Sequence, residues 1–285
     1  MEKEALLQVK GLTFSYGEEP VLKDVSLAIR RGEKIAVMGS NGAGKSTFFL
    51  NLNGVLKPDS GEIFLDGRKT GKKELNRLRR SVGFVFQDAD SQMIAANVRA
   101  EISFGPLNLG LERGEVIRRV DAAVSYLGLE DLQERAPHYL SGGEKKQVSI
   151  ADILAMEPDL LIFDEPMAAL DPVNAQKVED ILNRLHKDGK TLMIATHDVD
   201  FAWRFAERIF VFCDGMLIAD GTPAEIFTRK ETMERAHLRK PSIMELWDVL
   251  LQNGLVAEQK GYPSTPQQAA EWIAACKKER GDFKE

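Results

Sequence analysis

Little in this sequence could cross-link it: of 285 residues only two, Cys213 and Cys276, are cysteine. That is too few for a disulfide framework or a structural zinc site. Long apolar runs are missing as well, and none approaches the roughly 18 residues that a spanning helix needs. The first residues, Met1-Glu2-Lys3-Glu4-Ala5-Leu6-Leu7, carry acids where a secretion signal carries bases, so no signal peptide is expected. An excess of positive charge is also lacking. The 38 Lys and Arg stand against 44 Asp and Glu, a net charge of −6, which disfavours a chain whose main task is gripping nucleic-acid backbones. What is present is ordinary globular material, 44% apolar and 29% charged, enough to bury a large core. At roughly 150 residues per domain, the length predicts about two domains, or one large α/β domain with an appendage. Composition alone predicts a soluble, cytosolic chain.

Residues 6–31 read as β structure. Leu12, Phe14 and Tyr16 alternate with Thr13 and Ser15, and Gly17-Glu18-Glu19-Pro20 turns the chain into a second apolar stretch, Val21 to Ile29. Four short runs follow without alternation: Ile35 to Met38, Val82 to Phe86, Leu160 to Phe163 and Thr191 to Ala195. Such runs suit strands covered on both faces, as in a parallel sheet, and the charge-rich helical segments between them complete a doubly wound α/β pattern. Each run ends in a polar or glycine-rich group, where open α/β sheets build ligand sites. Pro223 and Arg229-Lys230-Glu231 mark the close of this unit. Beyond it two amphipathic helices are expected to pack on the core or on a partner chain. The first is signed by a capping box of Ser242 and Glu245 and by Gly254 at its end; the second opens at Thr265-Pro266 with Ala269, Trp272, Ile273 and Cys276 on one face.

The run Gly39-Ser40-Asn41-Gly42-Ala43-Gly44-Lys45-Ser46-Thr47 has the pattern G-x-x-x-x-G-K-[ST] between a strand and a helix. Its glycines let backbone N–H groups turn inward around phosphate oxygens, and the helix points its positive end at them. Lys45 would neutralise the β- and γ-phosphates and the Ser46 hydroxyl would ligate Mg²⁺. This predicts a nucleoside triphosphate site. Leu160 to Phe163 then delivers two adjacent carboxylates: Asp164, able to hold Mg²⁺ through its water shell, and Glu165, able to polarise an attacking water. Ahead of them stands Leu140-Ser141-Gly142-Gly143-Glu144, a hydroxyl and open N–H groups at a helix start, which forms a second anion-binding surface.

In this order the motifs resemble the ATP-binding subunits of ABC transporters over about residues 6–225. The resemblance implies a P-loop domain with a mostly parallel sheet core, an antiparallel β subdomain and a helical insert. In it, Gly39 to Thr47 look like the Walker A loop and Leu140 to Glu144 like the signature. Asp164 and Glu165 look like the Walker B end, with Glu165 as catalytic base, and Ala169-Leu170-Asp171 look like the D-loop. Gln87 falls at the Q-loop glutamine, implied to serve both the reaction and Mg²⁺. His197 falls at the switch histidine that senses the γ-phosphate, and Tyr16 at an aromatic that stacks on adenine, though on an alternating strand it also fits as a core residue. The family pattern further implies a head-to-tail dimer in which each ATP lies between one chain's Walker A loop and the other's Ser141, Gly142, Gly143 and Glu144, with Asp171 alongside. The second subunit is then a copy of this chain or a close paralogue. Departures are small: Gln147 stands where arginine is more usual and Met167 where threonine is.

The segment from Gln87-Asp88-Ala89-Asp90-Ser91-Gln92-Met93 to Leu111, in the insert that contacts the membrane partner in ABC proteins, looks like the energy-coupling-factor branch and its cobalt-importer ATPases. Leu238 to Leu251 looks like that branch's C-terminal extension. The expected organisation is a nucleotide-binding domain over 1–229 with a helical insert at about 88–157, then a helical extension over 230–285. The expected function is ATP hydrolysis with Mg²⁺, powering cobalt or nickel uptake through separate integral membrane subunits, with the chain peripheral on the cytoplasmic face. The chain shows no cluster suited to hold that cargo, so other subunits would select it. A vitamin cargo keeps the same mechanism. A soluble ABC ATPase acting on nucleic acid or ribosomes fits less well, and no nucleic-acid partner is expected, because there is no long coiled-coil insertion, second cassette or aromatic–basic stripe. An ATP-binding module without hydrolysis would need a lost catalytic group, and none is lost. The basic cluster Arg68, Lys69, Lys72, Lys73, Arg77, Arg79 and Arg80 reads as a solvated helix face, with lipid headgroups as the alternative. Cys213 reads as a buried strand residue.

Overall fold

Two sheets meet around the first glycine-rich loop. In the computed structural model, which describes residues 5–89, 92–256 and 261–279, β1 (Ala5–Tyr16) and β2 (Glu19–Arg30) form an antiparallel hairpin turned at Gly17-Glu18. The core strand β3 (Lys34–Met38) leads into α1 (Lys45–Leu52), and β4 (Ser60–Leu65) and β5 (Arg68–Lys69) then extend the hairpin's sheet in the order β2-β1-β4-β5. After α2 (Leu75–Ser81) comes β6 (Val82–Val85), followed by three helices: α3 (Val98–Asn108), α4 (Arg113–Leu127) and α5 (Gly142–Ala155). The chain returns through β7 (Leu160–Asp164), α6 (Pro172–Lys187), β8 (Thr191–Ala195), α7 (Val199–Phe205), β9 (Arg208–Cys213) and β10 (Met216–Gly221). It closes with α8 (Pro223–Thr228), α9 (Lys230–Arg235), α10 (Ser242–Gln252) and α11 (Pro266–Glu279).

The larger sheet has the order β10-β9-β3-β8-β7-β6, with all neighbours parallel except β10. This is the expected mostly parallel core beside an antiparallel sheet. The continuous apolar runs follow from its two covered faces. In β3, Ile35 and Val37 enter the core shared with the antiparallel sheet and α1, while Ala36 and Met38 enter the core under α7 and α8. In β7, Leu160 and Ile162 face α1, and Leu161 and Phe163 face the block of α3, α4 and α5. The second strand run ends one residue early, because Phe86 leaves the ladder and is 39% exposed. Among the described residues no helix is long and apolar enough to cross a membrane.

The tail packs on the core. Met244 of α10 joins the core beneath α7 and α8, and the indole N–H of Trp203 donates to the Pro263 carbonyl at 2.9 Å. Gly254 takes the left-handed conformation (φ +65°) that ends α10, and the N–H of Leu255 returns to the Leu250 carbonyl. The expected Ser242–Glu245 box does not form. The carboxylate of Asp200 on α7 takes both the Ser242 N–H (2.6 Å) and its hydroxyl (2.9 Å), a charged acceptor displacing the local one.

Two further expectations are corrected. Cys213 is only half-buried, since it is the last residue of β9 before the Asp214-Gly215 turn. The basic cluster is not one helix face. It is spread over β5, a turn and α2, where Lys69 pairs with Glu62, Arg77 with Asp66, and Arg79 and Arg80 donate to the carbonyls of Gly54 and Leu109. Cys276 is buried in α11. Asp90 and Ser91 lie outside the described residues.

Candidate active site

The loop after β3 is built so that only glycine fits at its ends. Gly39 has φ +142°, and a Cβ there would lie 2.1 Å from the carbonyl oxygen of Phe212 on β9. Gly44 has φ +95°, and a Cβ there would press on Leu22 and Val21 of β2. Between them the backbone curls around a cavity of about 360 Å³ lined by Tyr16, Glu19, Val21, Asn41 to Thr47, Gln87, Asp164 and Glu165. Gly39 and Ser40 are not in that lining. Their carbonyls instead accept the Lys45 ammonium at 2.7 and 3.0 Å, which holds the buried lysine inside its own loop. Burial lowers the Lys45 pKa, against the pull of Glu165 and Asp164.

Lys45 and Ser46 open α1, and the Ser46 hydroxyl donates to Asp164 Oδ2 at 2.5 Å. A hydroxyl from the loop and a carboxylate from the end of β7 thus converge at one edge of the cavity. They are hard oxygen donors of the kind Mg²⁺ prefers, and the pair fits that ion. The next residue, Glu165, has φ +45°, a region costly for a side-chain-bearing residue and often found at functional sites. Its N–H is tied to the Ala195 carbonyl at the end of β8 (3.1 Å), and His197 Nδ1 lies 3.0 Å from its Oε2. The turns after β6, β7 and β8 therefore bring Gln87, Asp164, Glu165 and His197 to one end of the sheet. Tyr16, also in the lining, is half exposed and edge-on to Phe14 at 4.9 Å, and Glu19 and Val21, which line the cavity too, bear no motif in the sequence.

Ser141, Gly142, Gly143, Glu144 and Asp171 do not line this cavity. Ser141 caps α5: its hydroxyl accepts from the Glu144 N–H, while the Glu144 carboxylate accepts from the Ser141 N–H and hydroxyl. Those bonds hold the Glu144 carboxyl below its usual range. Asp171 caps α6 through the N–H groups of Asn174 and Val173, which lower its pKa in the same way. Asn174 joins the two groups. It donates to Asp171 Oδ2 and fills the space over Gly143, where a Cβ would come within 2.5 Å of it. The two groups of predicted site residues therefore lie apart in one chain, the first around the cavity and the second at the starts of α5 and α6.

Three charged residues of α3 and α5 lie outside the cavity lining. Lys146, 2% exposed on α5, donates to the carbonyls of Phe86 and Gln87, and burial draws its pKa down to about 8. Glu101 on α3 is buried and accepts from the N–H groups of Ile94 and Ala95, fixing the chain beyond Gln92. Asp152 on α5 has one oxygen without a partner, and burial, reinforced by Glu101, raises its pKa to about 7. It borders a groove of about 530 Å³ between α2, α3 and α5, together with Arg79, Arg80, Phe104 and Met156. No local pattern marks these three.

The profile of the family described as ABC transporter matches residues 22–168. The energy-coupling factor transporter ATP-binding protein EcfA of Methanothermobacter thermautotrophicus is 45% identical over 258 residues, which is 90% of this chain and 83% of that one. Among solved structures, cbiO1 from Clostridium perfringens, part of the ABC transporter complex cbiONQ, is 41% identical with a TM-score of 0.73, covering 86% of this chain and all of that one. A dimeric ATP-binding cassette in a post-hydrolysis state, bound to ADP and Pi, is 31% identical with a TM-score of 0.67 over 76% of this chain and 98% of its own.

Proposed function

Because the chain belongs to the ABC transporter family, as an ATP-binding subunit, we propose that its ATPase activity drives uptake of cobalt or nickel ions through separate membrane subunits. The cargo rests on one observation, the resemblance of residues 87–111 to cobalt-importer ATPases. The likeness to cbiO1 over that whole chain supports the same branch. A vitamin, delivered by an exchangeable substrate-binding subunit, is the second reading, because the relative from Methanothermobacter is named for an energy-coupling factor and not for a metal.

In this reading Tyr16 stacks on adenine, and the N–H groups of Asn41 to Thr47 wrap the phosphates with Lys45 as their counter-charge, while Gly39 and Ser40 hold Lys45 in place. Ser46 and Asp164, with Gln87, hold Mg²⁺, which screens the phosphate charge when bound. Glu165 takes the proton of the attacking water and His197 sits beside the γ-phosphate. The second surface, Ser141 to Glu144 with Asp171, serves the nucleotide of a second ATPase subunit, which gives a physical reason for a chain to carry two anion sites that share no cavity. The groove beside Asp152, between α2 and the helical insert, is the face for the membrane subunits, and the chain sits peripherally on the cytoplasmic side.

Deleting the gene and measuring cellular uptake tests the cargo. Cobalt and nickel uptake should fall while vitamin uptake persists; unchanged metal uptake with lost vitamin uptake selects the second reading. A pull-down of the full chain from membranes should recover integral membrane subunits.

A further inference from the structure

Lys45 has a task in the nucleotide cavity, but the second buried lysine does not line it. Lys146 sits within the first two turns of α5, whose N-cap is Ser141. Its ammonium loses its hydration there and gains two hydrogen bonds, to the carbonyls of Phe86 at 3.0 Å and Gln87 at 2.8 Å, together with the attraction of Asp88 and Asp164. An apolar side chain in that position would often be as stable or more so. What the ammonium adds is a grip on one point of the chain, where β6 has ended at Val85 and the backbone turns into the loop that carries Gln87. In that loop Gln87 lines the cavity together with Lys45, Ser46 and Asp164. The helix that supplies the grip is pressed directly on β6: a Cβ on Gly83 would lie 2.3 Å from Ile153. Helix and strand are thus in rigid contact, and Lys146 carries that contact onward into the loop.

We propose that Lys146 is a positioning residue for ATP hydrolysis, which holds the Phe86 and Gln87 carbonyls so that the Gln87 side chain is set at the cavity. Through the same bonds, the loop that borders the Mg²⁺-binding oxygens is tied to the helix that begins at Ser141-Gly142-Gly143. A displacement of that helix start, such as a second subunit's nucleotide would impose, is passed to Gln87 over one side chain. The inference rests on the reading of Gln87 as a reaction-site residue.

The test is a double-mutant cycle on the full chain, with steady-state ATPase rates measured against ATP and Mg²⁺ for the parent, Q87A, K146M and Q87A/K146M. K146M should lower kcat about tenfold and raise the Mg²⁺ needed for half-maximal rate, with KM for ATP changed less than about twofold. In the Q87A background it should cost no more than about twofold further, because coupled residues are non-additive. Equal fold losses in both backgrounds, or parent kcat and Mg²⁺ dependence in K146M, overturn the inference. If K146M fails to fold by circular dichroism, K146A, which likewise removes the donor, takes its place in the cycle under the same criteria. Q87A alone judges the underlying reading. A Q87A variant with parent kcat and Mg²⁺ dependence removes Gln87 from the reaction, and the inference with it.

Discussion

His197 Nδ1 lies 3.0 Å from Glu165 Oε2, and the two side chains differ sharply in exposure, 77% for the histidine and 14% for the glutamate. A recessed carboxylate that lines the cavity is thus joined to a ring that water reaches freely. The contact exists because β7 and β8 are parallel neighbours ending at the same level, with Asp164 opposite Ala195. Glu165 and His197 are the first acid and the first base beyond those ends.

Glu165→Gln should keep ATP binding and lose turnover by about 10²–10⁴-fold, the usual worth of a general base. The variant should accumulate as an ATP-bound dimer, visible by size-exclusion chromatography with ATP present. Turnover near the parent rate would remove Glu165 from the role of base.

Tyr16→Ala should weaken ATP binding about 5- to 150-fold, the equivalent of about 1–3 kcal/mol of base stacking, while Tyr16→Phe binds as the parent does. Tripolyphosphate, which has no base to stack, should bind all three proteins alike. Tyr16 is 51% exposed, so the fold should survive the change. Equal weakening of ATP and tripolyphosphate would show that Tyr16 shapes the loop and not the adenine site.

Asp152→Asn should stabilise the protein at alkaline pH and leave it unchanged in acid. The parent carboxyl starts from 3.8 in the unfolded chain and is raised to about 7 by burial and by Glu101. Between those values the unfolded chain gives up its proton while the folded one keeps it, so parent stability falls as pH climbs and levels off above 7. The asparagine variant lacks this loss and should gain on the order of 4 kcal/mol at pH 8, closing to nearly nothing at pH 4. Urea unfolding at pH 4, 6 and 8 measures it, and a difference independent of pH would contradict the assignment.

Asp200→Ala should loosen the tail from the core. It removes a charged acceptor from the Ser242 N–H and hydroxyl, bonds worth about 1.5–3 kcal/mol where one partner is ionised. Amide exchange in α10 should quicken and the turn at 237–241 should become a protease site, with ATP binding intact. Unchanged exchange across α10 would show that Met244 and the Trp203–Pro263 bond hold the tail without it.

The parts legible in the sequence were those whose chemistry is local. Gly39 to Thr47 carries its donors, its charge and its glycines in nine consecutive residues, and the strands β3, β7 and β8 announced themselves as unbroken apolar runs. Where partners come from afar, the pattern was silent or misleading. Lys146 meets carbonyls 60 and 59 positions away, so nothing near it in the chain marks it. Ser242 matched a capping box with Glu245, yet Asp200, 42 positions earlier, took its bonds. The basic cluster looked like one surface because its charges are close in sequence, but strand, turn and helix point them at different partners.

The glycine-rich loop, the adjacent carboxylates, the Ser-Gly-Gly helix start and the parallel core could be read directly from the residues, because each is a short-range pattern of residue types with a direct physical meaning. Only the tertiary structure decided which groups meet: Ser46 with Asp164, Glu165 with His197, Asn174 between Gly143 and Asp171, and Lys146 beneath Gln87. Those pairings depend on strand order and on the level at which neighbouring strands end. They arise when long stretches of apolar surface are buried together, and no local run of residues encodes that outcome.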